Sequence, residues 1–240
     1  MITPTLAPAS LPEGLRVYAI GDVHGSADRL RALHREIARD LAARPVTEAR
    51  LVHLGDYVDR GPDSAGVIET LLQPFPYAGS GPGPVVVNLM GNHEEMMLAA
   101  LTDADLVPHW LANGGGATLD SLGLRLPART HDWAAALPPR HLAFLCGLQT
   151  MHAAGGYVFV HAGLRPRVTL ARQSRFDLLW IREPFLSFDG ELPGVVVHGH
   201  TMEREPVIRH NRIGIDTGAF LGGKLTCVVL EADRLGFLHS

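Results

Sequence analysis

Five short apolar runs punctuate the chain. Each ends within three residues of a glycine, with Asp, Asn or His alongside. They are VYAI before GDVHG, LVHL before GDYVDRG, VVVNLM before GNHE, YVFV before HAG, and VVV before HGHT. Unbroken apolar stretches of this length predict strands buried on both faces. A helical period follows the first run, with Leu30, Leu33, Ile37 and Leu41 on one face, Ser26 as cap and Pro45 as stop. A second helix is predicted from about Pro62 to Gln73, with proline at its first position. A third starts in GNHEEMMLAAL and carries Glu94 and Glu95 in its first turn, where the helix dipole favours anions.

Residues 74–84, PFPYAGSGPGP, form a turn-rich connector too short to divide domains. Residues 102–150 read as mainly helical, broken by NGGG at 113–116 and by Pro138-Pro139, and are expected to cap the core. Gly155-Gly156, between Gln149–Ala153 and Tyr157–His161, predicts a hairpin. The pattern is irregular from Pro166 to Pro193, then returns to strands at Val195–His198, Val207–His210, Ile213–Asp216 and Leu225–Glu231. Helical connections in the first half and antiparallel-looking strands in the second fit an α/β/β/α sandwich, two mixed sheets flanked by helices. One domain over 15–240 is expected, preceded by a loose, Pro- and Ala-rich terminus over 1–14.

Composition narrows the setting. Net charge is −4 with no basic block, which argues against duplex nucleic acid as a partner. The two cysteines, Cys146 and Cys227, show no CxxC spacing, as expected for a reducing compartment. No apolar run approaches the roughly 20 residues of a membrane span. A cytoplasmic protein is expected, and nothing in the sequence fixes its oligomeric state.

The chemistry sits at the strand ends, where catalytic groups commonly lie. Asp22 and His24 are two apart, so in extended chain they share a side and can offer oxygen and nitrogen to one transition metal. Asp56 can bridge two ions about 3.5–4 Å apart. Asp59 taken alone reads as a turn or cap residue, and Asn92 alone as a helix cap. His93, His161 and His200, each beside a glycine-rich turn or strand end, shift the balance toward metal chemistry. A mixed N/O donor set without thiolate suits two catalytic ions (manganese first, iron or zinc as alternatives) rather than structural zinc. Arg60, with Arg182 from the irregular segment, suits bidentate binding of phosphate oxygens. His93 can donate a proton to a leaving alkoxide if Asp59 orients it.

In order, GDVHG, GDYVDRG, GNHE, HAG and GHT resemble the phosphoprotein phosphatase branch of the calcineurin-like metallophosphoesterases, in particular its bacterial and phage serine/threonine protein phosphatases. The resemblance spans roughly residues 16–231. It implies one ion held by Asp22, His24 and Asp56, and a second held by Asp56, Asn92, His161 and His200. It further implies a water bridging the two ions as nucleophile, His93 as proton donor paired with Asp59, and Arg60 and Arg182 as phosphate arginines. Methionine at 202 replaces the second histidine of the GHxH pattern, as this branch expects, which speaks against a nuclease. The expected substrate is phosphoserine or phosphothreonine in a protein or peptide. The alternative is a symmetrical diadenosine tetraphosphatase, whose members resemble GDLVARG and GNHD where this chain has GDYVDRG and GNHE. The remaining histidines, including His53 and His198, read as structural, and Trp110, Trp133 and Trp180 as core. NGGGAT at 113–118 lacks the ending of a phosphate-binding P-loop and reads as a helix-terminating turn beside the cleft.

Overall fold

The computed structural model describes residues 4–79, 81, 83–124, 133 and 135–240. His131 and part of the expected helical cap therefore lie outside the described residues. Two sheets face each other. The first has six strands: β1 (Thr5–Leu6), β2 (Leu15–Ile20), β3 (Glu48–His53), β4 (Val85–Asn88), β10 (Thr226–Glu231) and β11 (Arg234–His239). Their order is β1-β11-β10-β2-β3-β4, with β2, β3 and β4 parallel and the other pairs antiparallel. The second contains β5 (Met151–Ala154), β6 (Tyr157–Val160), β7 (Val195–His198), β8 (Val207–Ile208) and β9 (Arg212–Gly214), in the order β5-β6-β7-β9-β8. Here β6, β7 and β9 are parallel, and β5 and β8 pair antiparallel at the edges.

Burial explains the layering. Val17, Ala19, Val52 and Val228 of the first sheet meet Phe159, Val197 and Ile213 of the second in a core between the sheets. The other face of the first sheet packs on α1 (Ala27–Ala43), α2 (Ser64–Leu72) and α3 (Asn92–Thr102). The outer face of the second sheet buries Val158, Val160 and Val196 against Leu178, Ile181 and Phe185, the first of which lies on α7 (Arg175–Trp180). Every residue of β2 is buried, and its Val17–Ile20 part reads as an unbroken apolar run, while Arg16 is buried against Glu231. The α/β/β/α sandwich is thus the fold.

Several local expectations change. The Ser26 hydroxyl caps nothing and instead donates to the His24 carbonyl at 3.4 Å. Helix α2 starts at Ser64, capped by Asp63, which accepts from the Gly66 N–H at 2.8 Å; Pro62 lies ahead of it. Asn92 is the first helical residue of α3, and the capping position belongs to Gly91. Strand β11 had no counterpart in the sequence reading. Residues 4–14, read above as a loose terminus, carry β1 and bury Leu11. Within 102–150, α4 (Val107–Trp110), a π-turn at Leu111–Gly115, α5 (Gly116–Ser121) and α6 (Pro139–Cys146) pack on the helical side of the first sheet.

Candidate metal centre

The loops after the parallel strands of both sheets converge. Asp22 and His24 follow β2, Asp56 to Arg60 follow β3, Asn92 and His93 open α3 after β4, and His161 and His200 follow β6 and β7. His24, Asp56, Asp59, Arg60 and His200 all adopt left-handed backbone, at φ of 41°, 52°, 70°, 66° and 61°. Non-glycine residues pay roughly 1–2 kcal/mol for this conformation, and such outliers gather at functional sites. Gly55, itself at φ 102°, lies so close to the Gly91 backbone that a side chain there would collide with it. Two loops that bear candidate ligands thereby touch.

Asp56 is the centre of the cluster. Its Oδ2 lies 3.4 Å from His24 Nε2, and its Oδ1 lies 3.4 Å from His161 Nε2. The other nitrogen of each ring, Nδ1, faces a backbone carbonyl, Val58 at 2.9 Å and Leu54 at 3.0 Å. A carbonyl only accepts, so both rings carry their proton on Nδ1 and turn a lone pair toward the carboxylate. Asn92 Oδ1 stands 2.9 Å from both His161 Nε2 and His200 Nδ1. Asp22 accepts from the His200 backbone N–H at 3.0 and 3.2 Å. Burial raises the carboxyls of Asp22 and Asp56, reinforced by Asp216 beside the first and Glu94 beside the second. Burial also lowers the imidazoles of His24, His161 and His200.

Lone pairs facing carboxylate oxygens repel unless a cation lies between them. Two ligands about 2.1 Å from one tetrahedral ion stand about 3.4 Å apart, the separation found on each side of Asp56. His24, Asp56 and His93 form one group whose ligand atoms lie within 4.8 Å of one another, and Asp56, His161 and His200 form a second. The residues fit two metal ions.

Beside this cluster, His93 Nδ1 lies 2.7 Å from Asp59 Oδ2, and its Nε2 has no hydrogen-bond partner among the described residues. Burial pushes the Asp59 carboxyl up to about 7, against the pull of hydrogen bonds from Thr118 and Trp110. Burial draws the His93 imidazole down to about 3. Three donors aimed at Asp59 favour its ionised form, with the shared proton on His93 Nδ1. Arg60 donates to His24 Nε2 at 3.1 Å and lies 5.0 Å above the Phe220 ring. Arg182 is exposed and near enough to His200 and Asp216 that its charge adds to the lowering of His200 by burial and opposes the raising of Asp216 by burial.

The family model of the calcineurin-like phosphoesterases matches residues 15–216. The chain belongs to that family. A protein of Salmonella typhimurium named serine/threonine-protein phosphatase 1 is 31% identical over 231 residues, covering 90% of this chain and 92% of its own length. A Methylococcus capsulatus protein named symmetrical bis(5'-nucleosyl)-tetraphosphatase is 29% identical over 185 residues, 77% of this chain and 52% of its own length. Among solved structures, a candidate diadenosine tetraphosphatase superposes with a TM-score of 0.67 at 23% identity, covering 97% of this chain and 98% of that one, and so shares the fold. Calcineurin-like phosphoesterases work with two metal ions, and the residues grouped around Asp56 are this chain's candidates for holding them, His93 being the member of the first group that pairs with Asp59 instead.

Several residues of the calcineurin-like site escaped the sequence reading. Glu94, fully buried, accepts from the backbone N–H groups of Asp56, Tyr57 and Val58 at 2.9, 2.7 and 3.2 Å, and from Gly91 at 2.8 Å. It ties the two ligand loops together, whereas its position in a helix first turn suggested only a dipole partner. Asp216, just past β9, is buried beside Asp22 and accepts from the Gly218 N–H at 3.1 Å. A strand-end aspartate at IDTG was the signal for it. Trp110 is core, as expected, but it also donates to both oxygens of Asp59, at 3.0 and 2.9 Å.

Proposed function

We propose that this calcineurin-like phosphoesterase hydrolyses phosphoserine and phosphothreonine esters in proteins, using two divalent ions. The observation carrying the reading is Asp56, each of whose oxygens faces a histidine lone pair, beside the His93–Asp59 pair. Asp22, His24 and Asp56 would hold one ion, and Asp56, Asn92, His161 and His200 the other. When bound, the ions, manganese first and iron or zinc as alternatives, supply Lewis acidity that activates water and offsets charge on the phosphoryl group. Arg60 and Arg182 bind the remaining phosphoryl oxygens, with Phe220 supporting the Arg60 guanidinium. His93 acts as the imidazolium ion-paired to the Asp59 carboxylate: its Nδ1–H stays on Asp59 while its Nε2–H passes to the leaving oxygen, leaving the ring neutral.

GDYVDRG and GNHE favour a phosphoprotein substrate, as does similarity over most of both chains to a relative named a protein phosphatase. A second reading, a symmetrical diadenosine tetraphosphatase, is favoured by several relatives of that name at 28–32% identity. We infer one domain over 15–240 and a cytoplasmic setting, in keeping with two free cysteines. No helix among the described residues is long and apolar enough to cross a membrane. Turnover of a phosphothreonine peptide and of diadenosine tetraphosphate, side by side with manganese and with a chelator control, tests the proposal. Strong preference for the peptide, abolished by chelator, is expected. Preference for the dinucleotide would overturn the phosphoprotein assignment.

A further inference from the structure

The NGGGAT stretch at 113–118 carries no phosphate-loop chemistry, yet it abuts the two residues of the site with the largest left-handed φ angles outside glycine, Asp59 and Arg60. The Gly114 carbonyl accepts the Arg60 N–H at 3.2 Å. Gly114 itself has φ 104°, and a Cβ there would lie 2.8 Å from Arg60 Cγ. Thr118 Oγ1 accepts the Asp59 N–H at 2.8 Å and donates to Asp59 Oδ1 at 2.7 Å. Ser64 Oγ lies 3.0 Å from the same hydroxyl. From the other end of the turn, Trp110 Nε1 reaches both Asp59 oxygens, and its indole stacks on Trp133 with ring centroids 4.9 Å apart.

An indole N–H can only donate, and Thr118 donates because its lone pairs take the Asp59 N–H and the Ser64 hydroxyl. With His93 Nδ1, these groups fix the Asp59 carboxylate in position and in its acceptor-only form. A carboxylate alone at the end of a strained loop could rotate about its side-chain torsions and let the His93 ring swing. Held at both oxygens, it confines the imidazole so that only Nε2 faces the site.

We propose that Trp110 and Thr118 are positioning residues for the proton donor, acting through Asp59 on His93. The inference rests on the reading of His93 as the group that protonates the leaving oxygen. Positioning is worth most when the leaving group needs a proton, as a threonine alkoxide does, and little when it leaves as a stable anion. A purely structural role would instead lower both reactions together.

The test compares kcat for a phosphothreonine peptide and for p-nitrophenyl phosphate in manganese-loaded protein, alongside manganese content. The variants are Trp110→Phe, which keeps the aromatic stack, Thr118→Val, which keeps the shape, and Thr118→Ser, which restores the hydroxyl. General acids contribute about 10²–10⁴-fold, so His93→Ala should lose roughly that factor on the peptide and little on p-nitrophenyl phosphate. Trp110→Phe and Thr118→Val should each lose about 10–100-fold of that contribution on the peptide and under about 3-fold on p-nitrophenyl phosphate. Metal content should be unchanged, and Thr118→Ser should recover most of the rate. Equal losses on both substrates, or no loss on the peptide, with His93→Ala still selective, would overturn the positioning role alone. A His93→Ala variant without leaving-group selectivity would overturn the proton-donor reading and the positioning role with it.

Discussion

Two sets of buried histidines at strand ends look alike in the sequence and behave differently in the fold. His161 and His200 follow β6 and β7; His53 and His198 are the last residues of β3 and β7. Burial lowers all four imidazoles. His53 Nε2 lies 2.9 Å from His34 Nε2 on α1, so one ring donates to the other and these two nitrogens satisfy each other. His161 Nε2 instead faces Asp56 Oδ1 and Asn92 Oδ1, acceptors that cannot supply a proton. Burial and depressed basicity therefore do not mark a candidate metal ligand. What marks His161, as it marks His24, is a lone pair fixed by a carbonyl on the far nitrogen and aimed at other acceptors.

The sharpest way to break this comparison is to change the acceptor at its centre. Asp56→Asn should cut phosphatase turnover by about 10³-fold or more, because losing a shared ligand costs several kcal/mol of transition-state stabilisation; steady-state kinetics checks this. His93→Ala should follow with a loss of about 10²–10⁴-fold on a phosphothreonine peptide, at unchanged metal content measured by elemental analysis. His34→Leu touches the His34–His53 pair, away from the candidate ligands, and should leave turnover near wild type. It strands the His53 ring without its partner and should cost about 1–3 kcal/mol of stability by denaturant unfolding.

The smallest effect belongs far from the centre. Asp177 accepts from Arg165 Nε at 2.9 Å and from Ser174 Oγ at 2.7 Å, and the Arg165 guanidinium, with the Ser174 hydroxyl, holds its carboxyl below the usual range. A lowered folded-state value means that the stability is present above the unfolded value of about 4 and is lost as pH falls through the folded one. Asp177→Asn should thus lower the melting temperature slightly at neutral pH, and the gap to wild type should close under acid. Equal gaps at pH 7 and pH 3 would contradict it.

Much of this was legible in the residues. The strand-end ligands could be read because buried parallel strands need unbroken apolar runs, so Asp22, Asp56 and His161 stand out as polar breaks. The two-sheet sandwich followed from the same runs. Glu94 and Trp110 could not be read as site residues, because their roles depend on contacts over 36 to 51 residues, with backbone amides and a carboxylate that no local pattern displays. Strand β11 was missed because Leu235 and Phe237 on one face and Leu238 on the other, interrupted by Gly236, show no clean alternation of apolar and polar residues. Helix α2 starts at Ser64 rather than Pro62 because the Asp63 side chain caps it by reaching the Gly66 amide, a contact the expected proline start did not show.

The claim that Asp56 joins two ion sites is tested most directly by counting manganese ions per chain in wild type, His24→Ala, His200→Ala and Asp56→Asn. The account predicts about two in wild type, about one in each histidine variant, and close to none when the shared carboxylate is gone. A wild type saturating at one ion, or an Asp56→Asn variant that keeps two, would contradict it.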